Sequence, residues 1–150
     1  MATQTDTARR QRHLAVLARA GRGLLEDAFA LVQPAPRYEV VKPAETGLVM
    51  VRGRAGGTGG QFNMGEMTVT RCVVRSEQGV IGVGYIAGRD RRKAELVAVF
   101  DALLQDPSRS PQLEREVIAP AEQRRRERQA AIRARAAATR VDFFTVMRGE

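Results

Sequence analysis

Two groups of apolar residues near the start of the chain recur at the intervals of an amphipathic helix. The first group comprises Leu14, Leu17 and Ala18, and the second, beyond a glycine break, comprises Leu24, Leu25, Ala28, Leu31 and Val32. This spacing places each group on one side of a helix. Pro34 and Pro36 end the second group, because proline lacks an amide proton and restricts the residue before it. The pattern predicts two N-terminal helices within residues 1–33.

The middle of the chain has the alternation and the turn composition of a sheet. No proline occurs between Ala44 and Asp106, and most of the 14 glycines lie between Gly47 and Gly88. Short apolar runs separated by such turn residues are typical of strands. We place four strands at 38–41, 48–52, 66–75 and 80–86, and we expect the last two to form an antiparallel hairpin across 77–79.

The third of these strands alternates clearly between two faces. One face carries Met67, Val69, Arg71, Val73 and Arg75, and the other carries Thr68, Thr70, Cys72 and Val74. Successive side chains of a strand point to opposite faces of the sheet. The outward face of this strand is polar enough to be either solvated or paired with another surface.

The clearest helix signal in the sequence follows the sheet. Asp90 is a natural N-cap, and residues 91–105 carry one apolar stripe formed by Leu96, Val97, Phe100, Leu103 and Leu104. We expect this stripe to pack on the sheet. The predicted fold class is therefore α+β, with an antiparallel sheet of about four strands and helices packed on it.

The last part of the chain, 112–150, predicts a helical arm followed by an apolar tail. Residues 117–120 predict a short extended element after a linker rich in proline and serine. Residues 121–140 favour a helix, yet their arginines point in several directions and leave no apolar stripe. Phe143 and Phe144 in the tail imply docking, either back on the core or onto a neighbour.

Size and charge limit the class of protein. The 150 residues fit a single domain, 1–150, made of the helices at 1–33, the sheet and helix at 38–105 and the arm and tail at 112–150. The net charge of +8 attracts nucleic acid, anionic membrane or phosphorylated ligands. One cysteine, no membrane-length apolar run and no apolar centre of a secretion signal lead us to expect a soluble, cytoplasmic protein.

A glycine-rich segment is the main candidate for ligand contact. Gly56, Gly57, Thr58, Gly59 and Gly60 can present backbone N–H groups to an anion. The Lys and Ser or Thr of a nucleotide-binding P-loop are absent, however, since Gln61 and Phe62 follow, and a dinucleotide fingerprint needs a helix next rather than a strand. The segment is either a phosphate or partner contact or a plain loop between strands.

Several charged residues near the sheet have both a functional and a structural interpretation. Arg71 and Arg89, with Arg75 and the basic residues at 91–93, can bind a polyphosphate, or they form a solvated surface. A nucleic-acid-binding module is the alternative function class, although Tyr85 is the only ring beside these cations. We expect no metal site, because His13 is the only histidine, and we expect Cys72 to be a buried small hydrophobe.

Three ordered segments resemble one known family. They are "ETGLVMVRGRAGGTGGQFNMGEMTVTRCVVR" from Glu45, "GYIAGRDRRKAELVAVFDALLQ" from Gly84 and "RVDFFTVMRG" from Arg140. In these the chain resembles the PhnG family of the bacterial carbon-phosphorus lyase system. The resemblance covers nearly the whole chain, and residues 45–105 carry most of its weight.

The resemblance implies a part in phosphonate catabolism under phosphate starvation. In that pathway PhnI, with PhnG, PhnH and PhnL, transfers methylphosphonate to C1′ of the ribose of ATP or GTP and releases the purine base. The product is ribose 1-methylphosphonate 5-triphosphate, and the radical SAM protein PhnJ later breaks its carbon-phosphorus bond. The substrates of the complex are thus ATP or GTP and methylphosphonate, and the resemblance implies no cofactor in this subunit.

The family also implies a complex with two copies each of PhnG, PhnH, PhnI and PhnJ, in which PhnI is the main partner of PhnG. A subunit of this kind is not expected to be active alone, and the resemblance transfers no catalytic residue. Arginine and aromatic side chains are enriched at the centres of interfaces. We therefore expect the contact with PhnI to involve Arg124, Arg125, Arg128, Arg140, Phe143 and Phe144.

Overall fold

A computed structural model describes residues 4–139 of the chain. Two helices come first, then three strands, then three more helices. Their bounds in chain order are α1 Gln4–Leu17, α2 Arg22–Leu31, β1 Tyr38–Arg54, β2 Gln61–Ser76, β3 Ile81–Ala87, α3 Arg91–Leu104, α4 Ser110–Leu113 and α5 Ala119–Ala138. A 3₁₀ turn, Ala55–Gly57, connects β1 to β2, and a π-helical turn, Glu114–Ile118, connects α4 to α5. This is the predicted α+β class.

The sheet has three antiparallel strands in the order β1-β2-β3, not about four. The strands predicted at 38–41 and 48–52 are the two ends of β1, which passes through the register shifts at Val40/Lys42 and Lys42/Glu45. Pro43 lies inside this irregular stretch. A proline is tolerated there because β1 is an edge strand and needs no ladder hydrogen bond on its outer side. The prediction was wrong because the bulged stretch interrupts the apolar alternation.

The β1–β2 hairpin is much longer than β3. β3 pairs only with residues 69–75 of β2, whereas β1 continues to pair with β2 as far as Arg54 opposite Gln61. We call the part beyond the end of β3, residues 48–54 and 61–68, the distal hairpin. No strand flanks it in the described part of the chain. It is a two-stranded ribbon that extends from the three-stranded sheet.

The core lies between one face of the sheet and α3. The face of β2 toward α3 carries the buried Thr70, Cys72 and Val74, which meet the buried stripe of α3 centred on Phe100. Gly82 and Gly84 on β3 allow α3 to approach closely, because a Cβ at either position would collide with the backbone of α3. The predicted helix and its N-cap are confirmed: Lys93 N donates to Asp90 Oδ1 at 2.9 Å.

Polar contacts connect α1 to α3 and to α5. Lys93 Nζ donates to Ala18 O at 2.9 Å, which ties α3 to the end of α1. Arg12 on α1 donates through Nε and Nη2 to the carboxylate of Glu122 at 3.0 to 3.1 Å, which ties α1 to the first turn of α5. No helix within residues 4–139 is long and apolar enough to cross a membrane.

The segment at 117–120 is helical, so the extended element predicted there was wrong. Val117 and Ile118 are buried in the π-helical turn, and Pro120 lies in the first turn of α5. Proline is well placed in a first turn, where its missing N–H has no intrahelical partner to lose. The prediction assigned this proline to an extended element, although it stands at the beginning of a helix.

Candidate functional site

The glycine-rich segment forms the tip of the distal hairpin. Gly56 and Gly57 have φ values of 59° and 81°, in the left-handed region that favours glycine. The N–H groups of Thr58 and Gly59 both donate to Ala55 O, the second at 2.8 Å, and Arg54 Nη1 donates to Gly59 O at 3.2 Å. Two of the five N–H groups are therefore used inside the turn. Contact of the tip with phosphate stays a prediction that involves the others.

Arg71 and Arg89, which were also predicted as phosphate contacts, lie away from this segment. Arg71 stands opposite Glu45 on β1 and Tyr85 on β3, with its Nη2 3.4 Å from Glu45 Oε2. It is separated from Gln61 by about 33 Å of extended strand. Arg89 is exposed in the turn between β3 and α3. The structure therefore does not bring Arg71 or Arg89 to the glycine tip.

Large apolar side chains are exposed along the distal hairpin. The exposed fraction is 62% for Leu48 and 64% for Met64, and Met50, Phe62 and Met67 are also exposed. Leu48 pairs with Thr68 and so shares the face of β2 that α3 covers farther along, while Met67 belongs to the opposite face. Both faces of the ribbon are thus apolar and uncovered by described residues. Contiguous exposed apolar surface of this kind marks an interaction site.

A bulge shapes the end of the distal hairpin. The register shifts between Val51 and Arg52, because Val51 pairs with Gly65 whereas Arg52 pairs with Asn63, so Met64 is the extra residue on β2. The Met64 side chain lies across Gly53, where a Cβ would come within 2.3 Å of Sδ. Bulges increase the local twist of a strand and re-aim side chains. The bulge here turns Met64 over the backbone of β1.

A second exposed surface lies where α5 passes the junction of α1 and α2. A cleft of about 400 Å³ opens there, and its lining combines cationic, neutral polar and apolar side chains, among them Arg19, Leu24, Ala121, Arg124, Arg125, Arg128, Gln129 and Ile132. We call it the arginine groove. No acidic side chain lines it, and among described residues Arg124, Arg125 and Arg128 form no ion pair. The structure therefore brings three predicted interface residues together with Arg19.

The remaining predicted interface residues cannot be placed with them. Arg140, Phe143 and Phe144 lie outside the described residues. α5 itself is exposed from Gln123 to its end at Ala138, which agrees with a helix that has no apolar stripe. Its first turn is the part that packs on the core, through the buried Ala121 and the Arg12–Glu122 pair.

A comparison with known protein families shows which family this chain belongs to. The model of the family described as phosphonate metabolism protein PhnG matches residues 8–149, which include the distal hairpin and α5. The chain belongs to the PhnG family. A curated relative supports the same assignment: the alpha-D-ribose 1-methylphosphonate 5-triphosphate synthase subunit PhnG of Rhizobium meliloti (strain 1021) is 43% identical over 148 residues, which are 95% of this chain and 91% of that protein.

Cys72 and His13 of this PhnG-family chain are both buried inside the fold. Cys72 is buried, its Sγ lies 3.4 Å from Lys42 O, and burial raises the pKa of its thiol. The prediction of a buried small hydrophobe is confirmed. His13 is also buried, with Nε2 3.0 Å from Glu114 Oε1. Burial lowers the pKa of His13, and the nearby Glu114 carboxylate only partly opposes this effect.

Sequence reasoning missed a partly buried ion pair in this PhnG-family chain. Asp101 is 1% exposed, and its carboxylate accepts from Arg10 Nε at 2.9 Å and from Arg10 Nη2 at 2.7 Å. The hydrogen bond to Asp101 raises the pKa of Arg10, against the effect of burial. Asp101 interrupts the apolar stripe of α3, and a carboxylate inside such a stripe needs a partner. That interruption was the signal available in the sequence.

Residues 4–139 contain no group of three or more histidine, cysteine or carboxylate side chains arranged to hold a metal ion. The cleft beside His13 and Asp101 has a volume of about 350 Å³ and is lined by Asp6, Arg9, Arg10 and Gln105 as well. Both acidic and basic side chains line this cleft, and Arg10 donates two hydrogen bonds to Asp101. The exposed surfaces of the distal hairpin and the arginine groove are therefore the better candidates for function.

Proposed function

We propose that this chain is a subunit of the carbon-phosphorus lyase core complex and acts with PhnI, PhnH and PhnL. The complex transfers methylphosphonate to C1′ of the ribose of ATP or GTP with release of the purine base, giving ribose 1-methylphosphonate 5-triphosphate in the cytoplasm. Membership of the PhnG family over residues 8–149 is the observation that carries this proposal. The name of the relative that is 43% identical agrees with it.

The contribution of this chain to the reaction is assembly rather than chemistry. Glycosyl transfer of this kind needs an acid for the departing base and stabilisation of an oxocarbenium-like ribose. Among the described residues the buried carboxylate, Asp101, is bound by Arg10, and the exposed Glu66 lies opposite Met50 on the distal hairpin. Neither residue combines a free carboxylate with a pocket. We assign the chemistry to PhnI and the organisation of PhnI to this subunit.

Two surfaces suit contact with companion subunits. The distal hairpin exposes apolar side chains on both faces, and an isolated two-stranded ribbon is only marginally stable in water. The arginine groove adds cations that no described carboxylate neutralises. We propose that PhnI covers the arginine groove, and that Arg140, Phe143 and Phe144 belong to the same interface. PhnH and PhnJ complete a complex with two copies of each core subunit.

The glycine tip is the one place where we propose contact with the nucleotide. Gly60→Ala and Thr58→Val test it, because a Cβ on Gly60 has open space, whereas a Cβ on Gly59 would collide with Ala55 O. We expect base release by the assembled complex to fall while assembly is unchanged. Unaltered turnover in a correctly assembled complex removes the tip from the nucleotide site and leaves the subunit function intact.

Co-expression with the companion subunits tests the proposed function. A tagged chain is expected to retain PhnI on an affinity column, and purine release from ATP with methylphosphonate is expected only when all the subunits are present. Purine release by this chain alone would show a stand-alone enzyme. Failure to retain PhnI, together with salt-sensitive binding to duplex DNA, would favour the nucleic-acid-binding alternative.

A further inference from the structure

The outer edge of β3 is closed by side chains. The Val83 N–H, which points away from β2, donates to Asp101 Oδ2 at 2.9 Å. Ile81 O, on the same edge, accepts from Gln105 Nε2 at 2.9 Å and from Arg10 Nη2 at 3.4 Å. Unpaired backbone groups on an edge strand are a template for pairing with another chain, and natural proteins cover them. Asp101, Arg10 and Gln105 thus protect one side of the sheet.

The outer edge of β1 has no such protection along the distal hairpin. Gly88 N donates to Thr68 O, and Ser76 N donates to Val80 O, both at 2.9 Å. Even-numbered residues of β2 therefore turn their backbone groups toward β3, and odd-numbered residues such as Met67 turn theirs toward β1.

The register then assigns the backbone groups of β1. Val49 and Val51 stand opposite Met67 and Gly65, so their N–H and C=O groups bond to β2. The groups of Leu48 and Met50 consequently point to the outer edge. Within residues 4–139 no hydrogen bond reaches these outward groups.

The usual devices that block an edge are confined to the other half of β1. Pro43, Lys42 and the register shifts all lie between Val40 and Glu45, and proline, lysine and bulges each discourage strand addition. From Thr46 to Val51 the pairing with β2 is regular. This stretch is therefore a regular, apolar and open strand edge.

We infer that the outer edge of β1 from Thr46 to Val51 accepts an extended strand from a companion subunit. The inference rests on the proposed function and adds the mode of contact, which is continuation of the sheet by one strand. Such a strand satisfies the outward backbone groups of Leu48 and Met50. Its side chains meet Leu48 and Met50 on one face and Val49 and Val51 on the other, so the added strand is expected to be apolar on both faces.

Charge favours a different chain over a second copy of this one. The distal hairpin carries Arg52 and Arg54 against the single carboxylate of Glu66, and Arg52 forms no ion pair with a described residue. A second copy would bring the same excess of positive charge to the edge. A companion strand with a carboxylate opposite Arg52 is complementary.

Amide hydrogen exchange tests the inference directly. In the isolated chain the amides of Leu48 and Met50 are expected to exchange rapidly, because they have no partner, while those of Val49 and Val51 are protected by β2. In the co-purified complex we expect Leu48 and Met50 to become protected. Contact between side chains alone would not confine the added protection to the amides of Leu48 and Met50.

Proline substitution provides the binding test. Leu48→Pro and Met50→Pro remove an outward N–H and leave the ladder with β2 intact, so we expect the complex to bind roughly tenfold more weakly. Val40→Pro is the matched control. Arg37 O accepts from Glu77 N at 3.2 Å and Glu39 pairs with Arg75, so the Val40 N–H also points outward, but in the blocked half of β1. Thermal denaturation of each isolated variant checks that the fold is retained.

The outcomes separate the two proposals. If the unsubstituted chain forms no complex, the proposed function fails. If the complex forms while Leu48 and Met50 stay unprotected, or while the Leu48 and Met50 proline variants bind as well as Val40→Pro, the strand-addition inference is overturned and the function stands. Self-association of the isolated chain with protection of the same amides assigns the edge to a second copy and also overturns it.

Discussion

At the scale of single residues, two glycines on β3 set the distance between the sheet and α3. A Cβ on Gly84 would lie 1.9 Å from Ala94 O, and a Cβ on Gly82 would lie 2.0 Å from Ala98 O. Neither glycine has a positive φ. The requirement is therefore space for the helix backbone and not an unusual conformation of the strand. This close approach brings Asp101 within reach of the Val83 N–H.

Gly84→Ala is expected to lower the free energy of unfolding by roughly 3 kcal/mol, because α3 must move away from β3 and the core side chains must repack. Gly47→Ala is the matched control on β1, where a Cβ has no neighbour within 4 Å. Its effect should stay within about 0.5 kcal/mol. Urea denaturation followed by circular dichroism measures both. Equal effects of the two substitutions would contradict the close packing of α3.

His13 makes stability depend on pH. Its pKa is lowered from the ordinary value of 6.5, mainly by burial, so the unfolded chain binds a proton more readily than the folded chain. The contribution of His13 to the free energy of unfolding is therefore fully present above pH 6.5, and it is lost as the pH falls below that value. We expect the stability advantage of the natural chain over a His13→Gln variant to be smaller at pH 5.5 than at pH 7.5.

Denaturation at these two pH values measures the advantage. The carboxylates that titrate in the same range are common to both chains, so their contribution cancels in the comparison. An advantage that grows toward low pH would mean that Glu114 outweighs burial and raises the pKa of His13 instead.

At the scale of elements, the distal hairpin differs from the rest of the sheet because α3 does not reach it. The face of β2 that is buried at Thr70 and Cys72 continues into exposed Leu48 and Met50 on β1. Few described side chains are buried against this ribbon. Its contribution to the stability of the isolated chain is therefore small, and its apolar surface becomes useful when a companion subunit covers it.

Replacement of residues 50–66 by an Asn-Gly turn tests this separation. Val49 and Met67 then flank a two-residue turn that suits the twist of a hairpin. We expect the midpoint of thermal unfolding to change by less than about 5 °C, since little buried surface is removed. Retention of PhnI in the co-expression assay is expected to be lost. A variant that folds and still retains PhnI would place the essential interface on the arginine groove alone.

At the scale of the whole molecule, the net charge is +8, and the cationic side chains differ in whether a carboxylate of the chain neutralises them. Many arginines are paired within the chain, as in the contacts of Arg10 with Asp101 and of Arg12 with Glu122. The cations of the arginine groove have no described carboxylate partner. Long-range attraction between such residues and an acidic partner raises the association rate constant, and added salt lowers it by screening the charges.

Charge reversal on α5 shows whether binding of PhnI depends on the residues of the arginine groove or on the net charge of the chain. Arg125→Glu with Arg128→Glu reverses two groove residues, and we expect about tenfold weaker binding of PhnI with less dependence on salt. Arg133→Glu with Arg135→Glu changes the net charge equally on the same exposed helix but outside the groove. Binding by this control should change by less than about threefold. Equal losses in both variants would assign the effect to overall charge.

The sequence predicted those parts of the fold that follow from local chemistry. The apolar stripe and Asp90 gave α3 and its cap, and the alternation at 66–75 gave the central strand. It did not predict that 38–41 and 48–52 are one strand, because continuity through Pro43 depends on pairing with β2. It grouped Arg71 and Arg89 with the glycine segment as candidate phosphate contacts, but no local pattern gives the length of the β1–β2 hairpin that sets their distance from that segment.

Local periodicity determined the class of fold, the cap of α3 and the exposed character of α5, because each depends on a few neighbouring residues. The ordered segments of the chain determined its family. Tertiary structure alone decided which surfaces are free, because exposure depends on where the other elements end. β3 stops at Ala87 and leaves the distal hairpin uncovered, while Asp101, far along the chain, closes the opposite edge.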